Sequence, residues 1–396
     1  MTTIEARGSS PARRWPRPYL TALAVSALLI VAGSVAADPA VGEPAAPAAA
    51  PSITLPSPTG RFLVGTVSLH WVDASRPDPF LPGKRRELVV QLWYPAASTT
   101  GFPPARYLPA VVARAFERLG GIGAPVFDRI RVHARSGAPV VSGRHPVVLF
   151  SPGGGMVKGF YTSLLEELAS QGFIVLAIDH PYDALAVEFP GGRLVPQRLG
   201  EGPLEINRGL SIRIADVRFV LDRLPRLNAR GRFAGRLDLT RIGMFGHSRG
   251  GATAAELMLR DGRVDAGANL DGSFNQRAAR RGVRGPFLLI TAPRGVGPSE
   301  QAYRASLRRS QLRLTLRGAD HYTFSDFALI VPALEGLAPG LRKELAVGSI
   351  DGRRALAIER RYLGAFFRAH LKATREPLLT RASGAYPEVS FERGTH

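Results

Sequence analysis

Short apolar runs alternate along the chain with longer segments of helical period. Compact apolar runs at 146–150, 173–178 and 286–291 are bounded by glycine, proline or charged residues, which predicts buried strands. Leucine and aromatic residues recur at three- and four-residue spacing at 161–170 and 353–371, which predicts helices. Apolar strands that alternate with helices indicate a mostly parallel sheet with helices on both faces.

The whole chain contains about eight predicted strands. Alternating segments at 61–72 and 87–94 predict an antiparallel start to the sheet. The irregular stretch at about 98–143, with a helical patch at 110–119, predicts an insertion or cap. Further predicted elements are strands at 241–245, 264–270 and 312–316, a helix at 212–227 that Pro225 should end or kink, and a helix near 300–309.

The N-terminal 58 residues follow a different pattern. Arginines precede an apolar run over 19–37 that ends in small residues, which predicts a secretory signal peptide at 1–37. The run is close to the ~20 residues that span a bilayer, so an uncleaved anchor is the alternative. Residues 38–58, rich in alanine and proline, predict a linker before a folded domain at 59–396. We expect a secreted protein, or one located in the periplasm or cell envelope.

Composition narrows the classes of partner and chemistry. The 52 Lys and Arg residues against 32 Asp and Glu give a net charge of +20, which favours anionic surfaces, including peripheral contact with an anionic membrane. The basic residues are scattered and form no nucleic-acid module, so no nucleic-acid partner is expected. The chain has no cysteine, which excludes disulfides, thiolate metal sites and a cysteine nucleophile.

One motif carries candidate chemistry. The strand at 241–245 runs into Gly246-His247-Ser248-Arg249-Gly250, and small residues of a predicted helix follow. Gly-x-Ser-x-Gly between a strand and a helix is the nucleophile-elbow pattern, which exposes a serine hydroxyl at the carboxyl edge of a sheet. A chance match among 43 glycines is the alternative. A serine that follows the fifth of eight strands is typical of the α/β-hydrolase fold, so Ser248 is the candidate nucleophile.

A serine nucleophile needs a histidine base, which follows the serine in this fold. Two of the later histidines are poor candidates for this base. His396 is the terminal residue, and His370 lies late in a predicted helix, where a solvated helix end is expected. His321 follows the last predicted strand of the repeating pattern and is the candidate base. A loop histidine bonded to its neighbour Asp320 is the alternative.

The carboxylate should end a strand between the serine and the histidine. Asp271 ends the strand at 264–270, whereas Asp265 lies at the opposite end. The loop 292–300 contains no aspartate, so Asp271 is the candidate acid; a turn cap made by Asp271 and Gly272 is the alternative. The oxyanion donors are predicted to be the backbone N–H groups of Gly154, in the glycine run after 146–150, and Arg249. This chemistry requires no metal or organic cofactor.

Four segments resemble the plasma/type II platelet-activating factor acetylhydrolases and their bacterial relatives. They are Phe150–Gly155, Leu168–Val175, Gly246–Gly251 and Asp320–Phe327. The resemblance implies an α/β-hydrolase with its acid after the sixth strand. It also implies a carboxylic-ester hydrolase acting on phospholipids with short or oxidised sn-2 acyl groups. Pro152 stands where this family commonly has histidine.

The expected function is therefore secreted serine esterase activity on short-chain acyl esters, including sn-2 acetyl phospholipids, through Ser248, His321 and Asp271. One alternative is a cutinase-like or lipase-like hydrolase of polyesters or triglycerides, which usually has its acid after the seventh strand. The other is a non-catalytic binding protein that keeps the fold. Apolar residues at 322–341 are expected to line an acyl pocket, touch lipid or pack in the core.

Overall fold

A long mixed sheet organises the chain. The computed structural model describes residues 51–200, 202–274, 276–293, 301 and 311–394. The strands are β1 (Ile53–Thr54), β2 (Leu63–Pro77), β3 (Arg85–Ala96), β4 (Ile130–Arg131), β5 (Arg135–Ser136), β6 (His145–Ser151), β7 (Ile174–Asp179), β8 (Ala186–Phe189), β9 (Arg193–Pro196), β10 (Leu237–His247), β11 (Ala266–Leu270), β12 (Phe287–Thr291), β13 (Gln311–Leu316) and β14 (Val389–Arg393).

Ten of these strands form one sheet in the order β14-β13-β12-β11-β10-β6-β7-β3-β2-β5. The strands from β7 to β13 in this order run parallel, and β2, β3 and β14 add antiparallel pairs. Eight strands, β2, β3, β6, β7 and β10 to β13, correspond to the predicted set, and β10 is the fifth. β5 and β14 extend the sheet at its edges. The predicted α/β-hydrolase fold is confirmed.

Helices cover both faces of this sheet. They are α1 (Ala110–Leu119), α2 (Thr162–Ser170), α3 (Pro203–Ala229), α4 (Arg249–Met258), α5 (Gln276–Arg281), α6 (Phe327–Leu334), α7 (Leu341–Glu344) and α8 (Gly352–Leu371). Alternate residues of a strand point to opposite faces, so Val148 joins the core beneath α2 and α8, whereas Leu149 joins the core beneath α3 and α4. The sheet is thus packed between two apolar layers.

Several local predictions differ from the structure. α3 begins at Pro203, nine residues before the predicted start, and it continues through Pro225 to Ala229. Pro225 is exposed near the C-terminal end of the helix, where its ring does not displace core residues. The hairpin β8–β9 and the strand β14 were not predicted.

The end of the predicted linker belongs to the folded domain. Ile53 and Thr54 pair with β4, and Leu55 is 1% exposed in the core. Ile53 and Leu55 belong to the apolar core, although prolines flank them in the sequence. The predicted signal peptide, the linker up to residue 50 and, apart from residue 301, the helix near 300–309 lie outside the described residues. No helix in the described part of the chain is both long and apolar enough to cross a membrane.

Candidate active site

Ser248 lies on a sharp turn between β10 and α4. Its backbone has φ 54° and ψ −119°, which is strained for a residue with a side chain. A Cβ on Gly246 would lie 2.2 Å from the Gly250 carbonyl carbon, and one on Gly250 would lie 1.9 Å from the Ser151 carbonyl oxygen. Glycine is therefore required at both positions of the motif, because the turn packs tightly against the start of α4 and the end of β6.

Three side chains from different strand ends meet at this turn. The His321 Nε2 lies 3.0 Å from the Ser248 Oγ, and the His321 Nδ1 lies 2.6 Å from the Asp271 Oδ2. Asp271 is 1% exposed, whereas Ser248 and His321 are half-buried. The structure thus brings together the predicted nucleophile, base and acid, with the acid shielded and the serine accessible.

The backbone around Asp271 orients its carboxylate toward His321. Its Oδ1 accepts hydrogen bonds from the Ala292 N–H and the Thr291 Oγ1, both at 2.9 Å, which leaves Oδ2 for the histidine. The turn that follows is capped by Asn269, whose Oδ1 accepts from the Gly272 N–H at 2.7 Å. Among the described residues, the Asp271 carboxylate bonds Thr291, Ala292 and His321, while Asn269 caps the turn.

The ring and the backbone of His321 have different hydrogen-bond partners. The Asp320 carboxylate accepts the backbone N–H groups of His321, at 2.7 Å, and of Thr323, while the ring of His321 bonds Asp271 and Ser248. The alternative, a histidine ring held by its neighbour, does not describe this loop. His370 is exposed near the C-terminal end of α8, as predicted, and His396 lies outside the described residues.

Residues 152–155, here called the glycine loop, run beside the start of α4. A Cβ on Gly154 would lie 2.9 Å from the Arg249 guanidinium carbon, so the two predicted oxyanion residues are neighbours. Arg249 is the first residue of α4, and the first N–H groups of a helix have no partner within the helix. The Gly154 N–H donates to no other described residue.

A buried arginine on α3 orients the glycine loop. Arg213 is fully buried and donates to the carbonyl oxygens of Pro152 and of Gly153, the latter at 3.0 Å. In a trans peptide the N–H points opposite to the C=O. Because the Gly153 carbonyl faces Arg213, the Gly154 N–H points away from Arg213, as an oxyanion donor requires.

Asp183 offsets part of the positive charge beneath this loop. Its carboxylate bonds Arg213 through both oxygens, at 2.7 and 2.8 Å, and bonds Arg249 at 2.8 Å. Burial alone would raise the pKa of Asp183, but the two guanidinium groups outweigh it and hold that pKa well below its usual range. The cluster therefore keeps its charges at neutral pH and holds α3 and α4 against the glycine loop.

A second serine–histidine–aspartate array lies deeper in the protein. The Ser151 Oγ lies 2.9 Å from the His180 Nε2, and the His180 Nδ1 lies 2.9 Å from the Asp216 Oδ2. All three side chains are 0% exposed, and Arg213 also donates to the Ser151 Oγ, at 3.1 Å. Burial and then the Arg213 charge lower the pKa of His180. Without access to a substrate, this array links β6, β7 and α3.

An apolar cavity lies beside the glycine loop. The inserted helix α1 supplies one wall of the cavity and α6 another. Gly155, the last residue of the glycine loop, also lines the cavity. The lining residues are Phe116, Leu119, Gly120, Ile122, Phe127, Gly155, Met156, Leu185, Phe327, Ile330, Val331, Leu334, Leu341 and Leu345. Phe327 is only 7% exposed. The apolar segment at 322–341 therefore contributes to this cavity and to the core.

Sequence reasoning missed several polar residues around the site. Arg213 lies on the apolar stripe of α3, between Leu210 and Val217, and a charge in that position is a readable signal of burial. Tyr161 and His247 gave no comparable signal. In the described part of the chain, no group of three or more His, Cys, Asp or Glu side chains could hold a metal ion.

Comparison with known proteins places the chain in a family. The model of the family described as platelet-activating factor acetylhydrolase, isoform II, matches residues 48–188 and 220–378. A protein of Arthroderma benhamiae named probable 1-alkyl-2-acetylglycerophosphocholine esterase is 30% identical over 376 residues, covering 86% of this chain and 94% of the relative. The platelet-activating factor acetylhydrolase of Cavia porcellus is 23% identical over 364 residues, covering 78% of each chain.

A solved structure points to the same chemistry. The ferulic acid esterase from Streptomyces cinnamoneus is 38% identical, superposes with a TM-score of 0.77, and covers 87% of this chain and 100% of its own. The family match spans most of the described domain, and these relatives are named as esterases or acetylhydrolases. The chain therefore belongs to the platelet-activating factor acetylhydrolase, isoform II, family and is a carboxylic-ester hydrolase.

Proposed function

We propose that this enzyme cleaves carboxylic esters through an acyl-enzyme formed on Ser248. The observation that supports this most directly is the 3.0 Å contact of Ser248 with a histidine that Asp271 holds at 2.6 Å. His321 takes the serine proton as the oxygen attacks the ester carbonyl, and Asp271 stabilises the imidazolium. The N–H groups of Gly154 and Arg249 hold the oxyanion.

Collapse of the tetrahedral intermediate breaks the bond between the carbonyl carbon and the leaving oxygen. His321 donates its proton to the departing alcohol, which leaves the acyl group on Ser248. Water then attacks the acyl-enzyme, with His321 again accepting the proton, and the acid is released as Ser248 recovers its hydrogen. Labelling with a fluorophosphonate, followed by peptide mapping, tests this: the phosphonyl group should be found on Ser248 and on no other serine.

The acyl group of the substrate is proposed to occupy the apolar cavity. Short acyl esters, including sn-2 acetyl phospholipids, follow from the names of the sequence relatives. The aromatic lining of the cavity favours a second candidate class. Phe116, Phe127 and Phe327 on its walls suit an aromatic acyl group, such as the one named for the esterase structure.

Narrowing the cavity should separate these two substrate classes. Leu119→Trp places an indole at the half-buried end of α1, and we expect kcat/KM for octanoyl and feruloyl esters to fall about tenfold, with the acetyl ester affected far less. The matched control is Leu204→Trp, at a leucine that is 83% exposed on α3. Equal losses for acetyl and feruloyl esters in the Leu119 variant would place the acyl group elsewhere.

Export is proposed from the sequence alone. The support is the basic segment followed by an apolar run and small residues at 1–37. N-terminal sequencing of the protein recovered outside the cytoplasm should begin at Asp38. A mature protein that still carries the apolar run would indicate the anchored alternative.

A further inference from the structure

A chain of hydrogen bonds joins the glycine loop to the backbone of His321. The Gly153 N–H donates to the Tyr161 Oη at 3.1 Å, and the Tyr161 Oη lies 2.8 Å from the His247 Nδ1. The His247 Nε2 lies 2.9 Å from the His321 carbonyl oxygen. Tyr161 and His247 are both 0% exposed, so this connection runs through the protein interior.

Chemistry sets the direction of each bond. The His321 carbonyl can only accept, so His247 carries its hydrogen on Nε2. A neutral imidazole then accepts at Nδ1, and the Tyr161 O–H must be the donor there. The Tyr161 oxygen keeps a lone pair for the Gly153 N–H. Burial raises the pKa of Tyr161 well above its usual range, which keeps the phenol protonated as this arrangement requires.

The two ends of this series of hydrogen bonds lie at the two groups that the proposed reaction needs, the oxyanion donor and the base. Gly153 precedes the donor Gly154, while His321 is the base. Ring packing holds Tyr161 and His247 in place. The centroids of the His247 and His321 rings lie 4.7 Å apart, and those of the Tyr161 and Phe150 rings lie 4.7 Å apart. A shift of either end would alter the separation between the oxyanion donor and the base.

We propose that Tyr161 and His247 are positioning residues that set the distance between the Gly154 N–H and the base His321. The inference rests on the proposed function, because it concerns the same oxyanion site and the same base. Arg213 orients the Gly154 N–H from below, and the Tyr161–His247 bridge sets how far that N–H lies from His321. Transition-state stabilisation depends on both groups being in place at once, and misplacement by about 1 Å can cost about a hundredfold in rate.

The test removes a single hydroxyl. Tyr161→Phe keeps the ring and deletes both of its hydrogen bonds, and kcat should fall about tenfold to a hundredfold while KM stays within about twofold. Affinity for a trifluoromethyl ketone, which forms an oxyanion on Ser248, should fall in parallel with kcat. The matched control is Tyr94→Phe, which deletes another fully buried tyrosine hydroxyl, one that donates to the Ala138 carbonyl at 2.8 Å on the opposite face of the sheet.

A second variant replaces His247, the other residue of the Tyr161–His247 bridge. His247→Gln can still donate from its Nε2 to the His321 carbonyl, but it has no acceptor at the position of the His247 Nδ1 that Tyr161 contacts. Its losses should therefore not add to those of Tyr161→Phe in the double variant. Equal kcat losses in Tyr161→Phe and Tyr94→Phe, or a Tyr161→Phe enzyme with full ketone affinity, would overturn the inference. If the wild-type enzyme does not use Ser248, the proposed function fails first, and fluorophosphonate mapping reports that outcome separately.

Discussion

Ser248→Ala should lower kcat for p-nitrophenyl acetate by roughly four to six orders of magnitude. The variant lacks the oxygen proposed to attack the carbonyl, and no other hydroxyl is shown within hydrogen-bonding distance of the His321 Nε2 among the described residues. The proposed oxyanion donors and the cavity remain, so substrate binding should change little. Steady-state kinetics with active-site titration would measure the loss, and melting temperature would show that the fold persists.

The buried array supplies the matched control for this experiment. Ser151 also contacts a histidine that contacts an aspartate, but its hydroxyl is 0% exposed. Ser151→Ala should therefore still be labelled by a fluorophosphonate at Ser248, whereas Ser248→Ala should not be labelled at all. Labelling at Ser151, or turnover by Ser248→Ala near the wild-type rate, would contradict the proposed mechanism.

These two arrays show why hydrogen-bond geometry alone does not identify a nucleophile. Their serine–histidine distances are 3.0 and 2.9 Å. They differ in backbone and access: Ser151 ends a regular strand within the sheet, whereas Ser248 has φ 54° on a turn beside the start of a helix. Strained backbone is maintained only where the surrounding structure over-determines it, and it clusters at functional sites.

Much of the site could be predicted because local rules govern it. The elbow is a short-range steric pattern, and parallel strands place their carboxyl ends at one edge of the sheet, so Ser248, Asp271 and His321 could be chosen by chain order. Elimination of Asp265 and of the loop 292–300 depended on the same rule. The structure brings the three chosen residues together.

The supporting residues could not be predicted because their partners are remote in sequence. Tyr161 meets His247 across 86 residues, and Arg213 meets Gly153 across 60. Nothing in the local pattern of either segment specifies such a contact. The same limit explains Leu55, whose burial depends on elements that follow it in the chain, and Pro225, which a helix packed on the sheet tolerates near its end.

Asp271→Asn should reduce kcat by about four orders of magnitude at neutral pH. The Ala292 N–H and the Thr291 hydroxyl both donate to the Oδ1 of Asp271, so the amide oxygen of asparagine should take that place. The amide NH₂ then faces the His321 Nδ1, which must become an acceptor. The ring hydrogen moves to Nε2 and points at Ser248, so His321 can no longer accept the serine proton. The kinetic loss should therefore come without a large fall in melting temperature.

The control for this substitution lies at the other end of the same strand. Asp265 precedes β11 and accepts from the Ile242 N–H at 2.8 Å, far from His321 in the register of the sheet. Asp265→Asn is expected to leave kcat within about threefold of the wild-type value, because it touches no group that changes charge in the reaction. If Asp271→Asn kept more than a tenth of wild-type kcat, another carboxylate would have to orient His321. Asp320, which already accepts the His321 backbone N–H, would be the next residue to replace.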